Sequence, residues 1–220
     1  MPDAISRRAA PWSARLGFAA LLVAFSEFVI WQRPAENAPL RMFGSLVVYG
    51  ALAAIALDLI VRLRASDVAS LLMIAGAYGL ANGTLISQVA TRDLPVSLLA
   101  RPLGAQPLAF LGALGAFRLL LSGRGAGLLH LLVAAIAGLA WGVWVRWAPG
   151  ASDGTIALVS AETALVATGG ALAVCLLLAL AAREPVTPAD GWLLSPVEWV
   201  GVAAVLVATL AIGLSRNEIG

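Results

Sequence analysis

The stretch Leu16–Arg33, LGFAALLVAFSEFVIWQR, decides how the rest of the chain is read. As a helix it is long enough to cross a bilayer, because about 20 residues at 1.5 Å rise match a hydrocarbon core of about 30 Å. One carboxylate, Glu27, sits well inside the apolar run. The preceding MPDAISRRAAPWSAR gives the run a basic flank, as in a signal peptide. The run ends in Trp-Gln-Arg-Pro rather than a small-residue cleavage site, so it is expected to be a retained first span.

The same arrangement recurs outward from this stretch: an apolar run, a short arginine-bearing loop, and an occasional acid or amide where lipid disfavours one. Of 220 residues, 61% are hydrophobic and 12% charged; a soluble domain has about 45–50% and about 25%. The pattern predicts an all-α fold: a polytopic integral membrane helix bundle of about seven transmembrane helices, forming one domain over 1–220. The expected spans are 16–32, 43–61, 67–87, 106–121, 127–147, 154–182 and 192–214. Between the third and fourth, Gln88–Gly104 reads as a loop with an interfacial segment. Runs such as GALAAIA, GALGAF and ATGGALA supply small residues that let helices approach closely in lipid. With the N-terminus inside, the inner side holds eight arginines and the outer side six. That bias favours a cytoplasmic N-terminus.

Several chemistries are excluded by count. All 14 basic residues are arginine, so no Schiff-base lysine exists and a retinal protein is ruled out. One cysteine, Cys175, and one histidine, His130, exclude an intramolecular disulfide, a bis-histidine haem, an HExxH zinc site and a Cys₄ cluster. No GxSxG elbow or Gly-rich phosphate loop occurs. No catalytic residue, cofactor or metal is therefore expected. The sparse arginines suit anionic lipid headgroups rather than a nucleic-acid surface. The expected partners are the lipid bilayer and other membrane subunits, not nucleic acid.

Ionisable groups inside spans cost about 2.5–3.5 kcal/mol on insertion scales, so each needs a reason. They fall into two groups by depth. The outer group contains Glu27 and Glu162, with Asn82, Thr84 and Gln88 on the third span. Glu27, Asn82 and Glu162 are candidates for a polar pocket that senses protons or cations. The alternative is that the acids are protonated or hydrogen-bonded and only fix helix register. The inner group is Asp58, Arg62, Arg118, His130 and Glu198. Asp58 and Arg62 are four apart and predict a local ion pair. Arg118 can snorkel, and a lone His130 suits a structural hydrogen bond. Glu198, three after Ser195 in SPVEW, can be bonded by that hydroxyl.

Three pieces of sequence carry a resemblance: Glu27 in FSEF, Tyr49-Gly50 with Asp58 and Arg62 in YGALAAIALDLIVR, and AYGLANG at Ala77–Gly83. Their order resembles a poorly characterised family of bacterial and archaeal multi-spanning membrane proteins, whose third span carries AYG(I/L)xEEG. The resemblance implies a helical membrane fold and, for this chain, the bacterial cell (inner) membrane. Where the family has paired glutamates this chain has Ala81 and Asn82, which disfavours an intramembrane hydrolase. The functional expectation is a small transporter or permease-like bundle with a polar intramembrane pocket. The alternative is a non-catalytic accessory or scaffold subunit of a larger membrane complex.

Overall fold

The structure is a computed structural model, and it describes residues 3–29, 39–86, 98–99, 101–121 and 189–215. Every regular element among these residues is helical. Helix α1 is Asp3–Val23 and continues as a π turn, Ala24–Val29. Helix α2 is Pro39–Arg62 and α3 is Val68–Leu85. A π turn, Arg101–Ala105, leads into α4, Gln106–Leu121. A 3₁₀ turn, Ala189–Trp192, precedes α5, Pro196–Ser215. Among the described residues, four helical stretches are long and apolar enough to cross a membrane: Ser45–Arg62, Val68–Leu85, Pro102–Leu121 and Pro196–Ser215.

Local chemistry sets the helix boundaries. Proline opens α2 and α5, at a position whose N–H has no partner within a helix. Asp67 caps α3: its carboxylate accepts from Ser70 N at 2.9 Å and from the Ser70 hydroxyl at 2.6 Å. At the end of α2, Ala65 N bonds Ile60 O and Arg64 N bonds Val61 O, with Arg64 at φ 49°. This is a Schellman closure, with buried Ala65 and Ile60 as its hydrophobic contact.

Helix α2 is the centre of the bundle. At about 100° per residue, the nine residues from Tyr49 to Asp58 put them on opposite faces. One face carries Tyr49, Leu52, Ala53 and Leu57 into a core with α1, α3 and α4. In that core Phe18 meets Phe110 edge-on at 5.7 Å and Phe117 at 5.1 Å. The other face, Ala51 and Ala54, meets Leu194 and Val202 of α5. Accordingly 56% of the α2 span is buried, against 11% of the α5 span. The π turn before α4 packs on α3 at Gly79, where an added Cβ would run into the Pro102 carbonyl oxygen. Glycine is therefore required there by contact with backbone.

The helices run past several of the expected spans. Helix α1 is already helical at Asp3, ahead of the expected span from Leu16, and α2 at Pro39, ahead of Phe43. The fourth helix is Gln106–Leu121, and Arg101–Ala105, whose first four residues are expected in the preceding loop, is a π turn running directly into it. The last helix starts at Pro196, four residues after Trp192, and side chains of α1 and α2 bond the main chain of residues 193 and 194 just before it. The expected spans 127–147 and 154–182 lie outside the described residues, as do Glu162, His130, Gln88 and Cys175.

Candidate functional site

Two polar networks lie at two levels of the described bundle, and α1 with its π turn and α2 belong to both. The first is at the Glu27 level, where α1 passes into its π turn and α3 nears its end, and Tyr49 joins it from the middle of α2. Loosening of α1 into π geometry over Ala24–Val29 carries Ser26 and Glu27 into this layer. Tyr49 of α2 donates its hydroxyl to Glu27 Oε1 at 2.6 Å. Asn82 Nδ2 of α3 donates to the Tyr49 oxygen at 3.0 Å and to the Tyr78 oxygen at 3.3 Å. Tyr78 and Ser26 hydroxyls are 2.7 Å apart. Because Tyr78 already accepts from Asn82, its own proton is available for Ser26. The chain Glu27–Tyr49–Asn82–Tyr78–Ser26 thus ties three helices together with one carboxylate and four neutral groups.

Two of the three residues expected in a polar pocket, Glu27 and Asn82, are thereby joined through Tyr49. The third, Glu162, lies outside the described residues. Thr84 turns back on its own helix, donating to Leu80 O at 2.6 Å. Gln106, which in the sequence reads only as the start of a span, is buried near this layer without bonding to it. It is 0% exposed, and neither amide atom has a hydrogen-bond partner among the described residues. It lies one turn before Phe110, whose ring contacts Tyr78 at 5.1 Å, while Asn82 lies one turn after Tyr78. In the antiparallel α3–α4 seam this brings Gln106 and Asn82 to one level. A glutamine beginning an otherwise apolar span is the signal that points to it.

The second network is a charged clasp around residues 192–195. Arg15 of α1, only 2% exposed, pairs with Glu198 of α5 at 2.7 Å. Its other terminal nitrogen donates to Leu193 O at 3.0 Å and Trp192 O at 3.4 Å. The Trp12 ring lies 4.8 Å from its guanidinium carbon, a favourable cation–π distance. Asp58 of α2, fully buried, accepts from Leu194 N at 2.6 Å and from Arg62 Nε at 2.6 Å. Arg62 also donates to Leu194 O at 3.2 Å. Ser195 N and Oγ donate to Glu198 Oε2 at 2.8 and 2.9 Å, and Glu198 N returns a bond to Ser195 Oγ at 3.4 Å. This is a capping box, which begins α5.

The clasp explains why a stretch without secondary structure can be held inside the bundle. Buried main-chain N–H and C=O groups require partners, and here side chains from α1, α2 and α5 supply them. The inner-group residues Asp58, Arg62 and Glu198 all converge on this stretch. Arg118 stands apart: it is exposed in the last turn of α4, and among the described residues no hydrogen bond or ion pair joins it to the clasp. In the sequence Arg15 reads only as a loop arginine flanking the first span. Its position beside Trp12 at the start of an apolar run is the signal that it could be drawn inward.

Chemically, the first network offers a binding group and the second offers a tie. In the Glu27 layer only Oε1 is bonded to protein, while Oε2 of this half-buried residue has no protein donor among the described residues. A carboxylate so placed can take a proton or a cation. In the clasp each charge is matched by an opposite charge or by main chain. Among the described residues no three or more His, Cys, Asp or Glu gather as they would around a metal ion. Compared with family models, curated proteins and solved structures, the chain matches none, so the geometry alone bears on function.

Proposed function

We propose that the protein is a small permease-like membrane bundle of about seven spans, with its N-terminus cytoplasmic, in which Glu27 is a proton- or cation-binding carboxylate. The supporting observation is the Glu27–Tyr49–Asn82–Tyr78–Ser26 chain. An acid kept in an apolar helix run needs a reason. Neutral hydroxyls and an amide orient Glu27 without neutralising it, which suits a group that changes its proton or cation partner. A purely structural acid is more simply matched by a fixed counter-charge, as Asp58 is by Arg62.

The test is ion flux in liposomes containing the purified protein and a trapped pH-sensitive dye, with sodium or potassium gradients imposed in turn. Glu27→Gln is expected to lower flux by about tenfold or more while expression and melting in detergent stay near wild type. Loss of melting temperature alone, or flux indifferent to Glu27→Gln, would sink the reading.

A second reading, an accessory subunit of a larger membrane assembly, is favoured by α5. Its outward face is apolar and open, with Val197 81% and Val200 71% exposed. Purification in mild detergent followed by mass spectrometry separates the two: a stoichiometric membrane partner supports the subunit, and a lone protein supports the permease.

A further inference from the structure

The clasp lies at the other level of the bundle from Glu27, and its form is that of a closure. Three features carry this. First, among the described residues the core between the two networks is apolar: Phe18, Leu22, Leu57 and Phe110 are each 0% exposed. Glu27, by contrast, is half-buried at its own level. Second, among the described residues the hydrogen-bonded chain stays within the Glu27 layer and does not reach the clasp. Asn82 donates to tyrosine oxygens on both sides, and an amide does not pass a proton from one neighbour to the other. Turning the amide end for end would reverse the bonds and leave the same break. Third, among the described residues a short non-helical strap, residues 193–195, lies at the level of Arg15 and leads into the least buried of the four candidate spanning helices. It is fastened by charged side chains of α1 and α2, the two helices that also carry Glu27 and Tyr49.

We propose that the clasp is a closed gate. Arg15, Asp58, Arg62 and Glu198 hold the strap at the Arg15 level, so that the Glu27 layer communicates with one side of the membrane in this conformation. Release of the strap, with α5 as the moving element, opens the other side. The protein is then a carrier with alternating access rather than a continuous conducting path. Ion pairs to main chain suit this task, because they are strong when aligned and are replaced by water when parted. Besides the clasp, an apolar seam holds α5 to α2: Ala51 and Ala54 against Leu194 and Val202, flanked by Ile55, Trp199 and Val205. This inference rests on reading the Glu27 layer as a transport site.

Ala53 is a suitable reporter. It is fully buried on α2, one turn from Tyr49 towards Asp58. In a Cys175→Ser background an Ala53→Cys thiol is the chain's only one. Modification by a membrane-impermeant thiol reagent is followed in vesicles of each orientation. With the clasp intact, reagent on the Arg15 side is expected to leave the thiol unmodified. Adding Glu198→Gln, which keeps the shape of the cap but removes the charge paired with Arg15, is expected to raise the rate from that side by about tenfold. The rate from the Glu27 side should stay unchanged. Arg15→Lys keeps a charge near Glu198 and is expected to restore part of the protection that Arg15→Ala removes.

Two results overturn the proposal. One is equal modification from both sides in every variant. The other is unchanged protection in Glu198→Gln and Arg15→Ala despite a lowered melting temperature, which makes the clasp a structural tie only. Sidedness of labelling is independent of the flux measurement. Failure of Glu27→Gln to alter flux therefore removes the transport reading, whereas failure of the labelling pattern removes the gate and leaves Glu27 in place.

Discussion

Two levels of α2, at Tyr49 and at Asp58, solve the problem of burying polar groups in opposite ways. Around Tyr49 the solution is neutral: hydroxyls and an amide in series, ending on one carboxylate. Around Asp58 it is ionic: carboxylates and guanidinia matched to each other and to main chain. The neutral arrangement leaves Glu27 unmatched, so its state can change without tearing the layer apart. The ionic arrangement ties its carboxylates to main chain as well as to guanidinium groups, so removing the Asp58 carboxylate strands a buried main-chain group. This difference marks one level as a place where something binds and the other as a place where the bundle is fastened.

The comparison breaks first if Asp58 is dispensable. Asp58→Ala strands the buried Leu194 N–H and removes the partner of Arg62. Arg62 is half exposed and turns to water, so most of the loss comes from the unsatisfied N–H and the loosened start of α5. A destabilisation of about 3 kcal/mol is expected, read as a lowered melting temperature in detergent. Asp58→Asn keeps an acceptor for Leu194 N and should lose about half as much. Wild-type melting in Asp58→Ala would show that the clasp does not fasten α5.

How far this contrast is legible in the sequence depends on how local each contact is. Asp58 with Arg62, and Ser195 with Glu198, are neighbours at helical spacing, and periodicity alone suggests both. Glu27 and Asn82 draw notice as polar groups in apolar runs, but their connection passes through Tyr49, on another helix 22 positions away from Glu27. No pattern in the chain encodes that distance. Arg15 is hidden for a related reason: its partner Glu198 is 183 positions away, and an arginine at the edge of a span ordinarily reads as a loop residue. The main-chain acceptors of Leu193 and Leu194 carry no residue-type signal at all. The run from Leu16 to Arg33 suggests an unbroken helix and gives no sign of the π turn at Ala24–Val29 that carries Glu27.

A smaller effect on stability, and a larger one on function, is expected from Tyr49→Phe. The substitution removes one oxygen that serves two bonds, one to Glu27 and one from Asn82. The ring still fills its site, so the expected loss is about 1–2 kcal/mol. Ion flux should fall by a larger factor than this loss of stability explains, because Glu27 is no longer oriented. Flux and melting measured on the same preparation decide the matter. Equal loss in both would make the Glu27 layer a second fastening and erase the contrast with the clasp.

The smallest effect belongs to Asp67, which lies outside both networks and calibrates them. It is exposed at the start of α3, and hydrogen bonds from the Ser70 hydroxyl and main-chain N–H hold its carboxyl below the usual value of 3.8. A carboxyl whose pKa is lowered by folding adds stability that is complete above its unfolded pKa and is lost as pH falls through its folded pKa. The cap therefore contributes fully near neutrality and fades only below about pH 4. Asp67→Ala should lower the melting temperature slightly at pH 7, and the difference from wild type should shrink as the medium is acidified past that point. Asp67→Asn, which can still cap, should sit between them with no acid limb of its own. If the Asp67→Ala difference instead persists at low pH, the carboxylate charge is not what stabilises the start of α3.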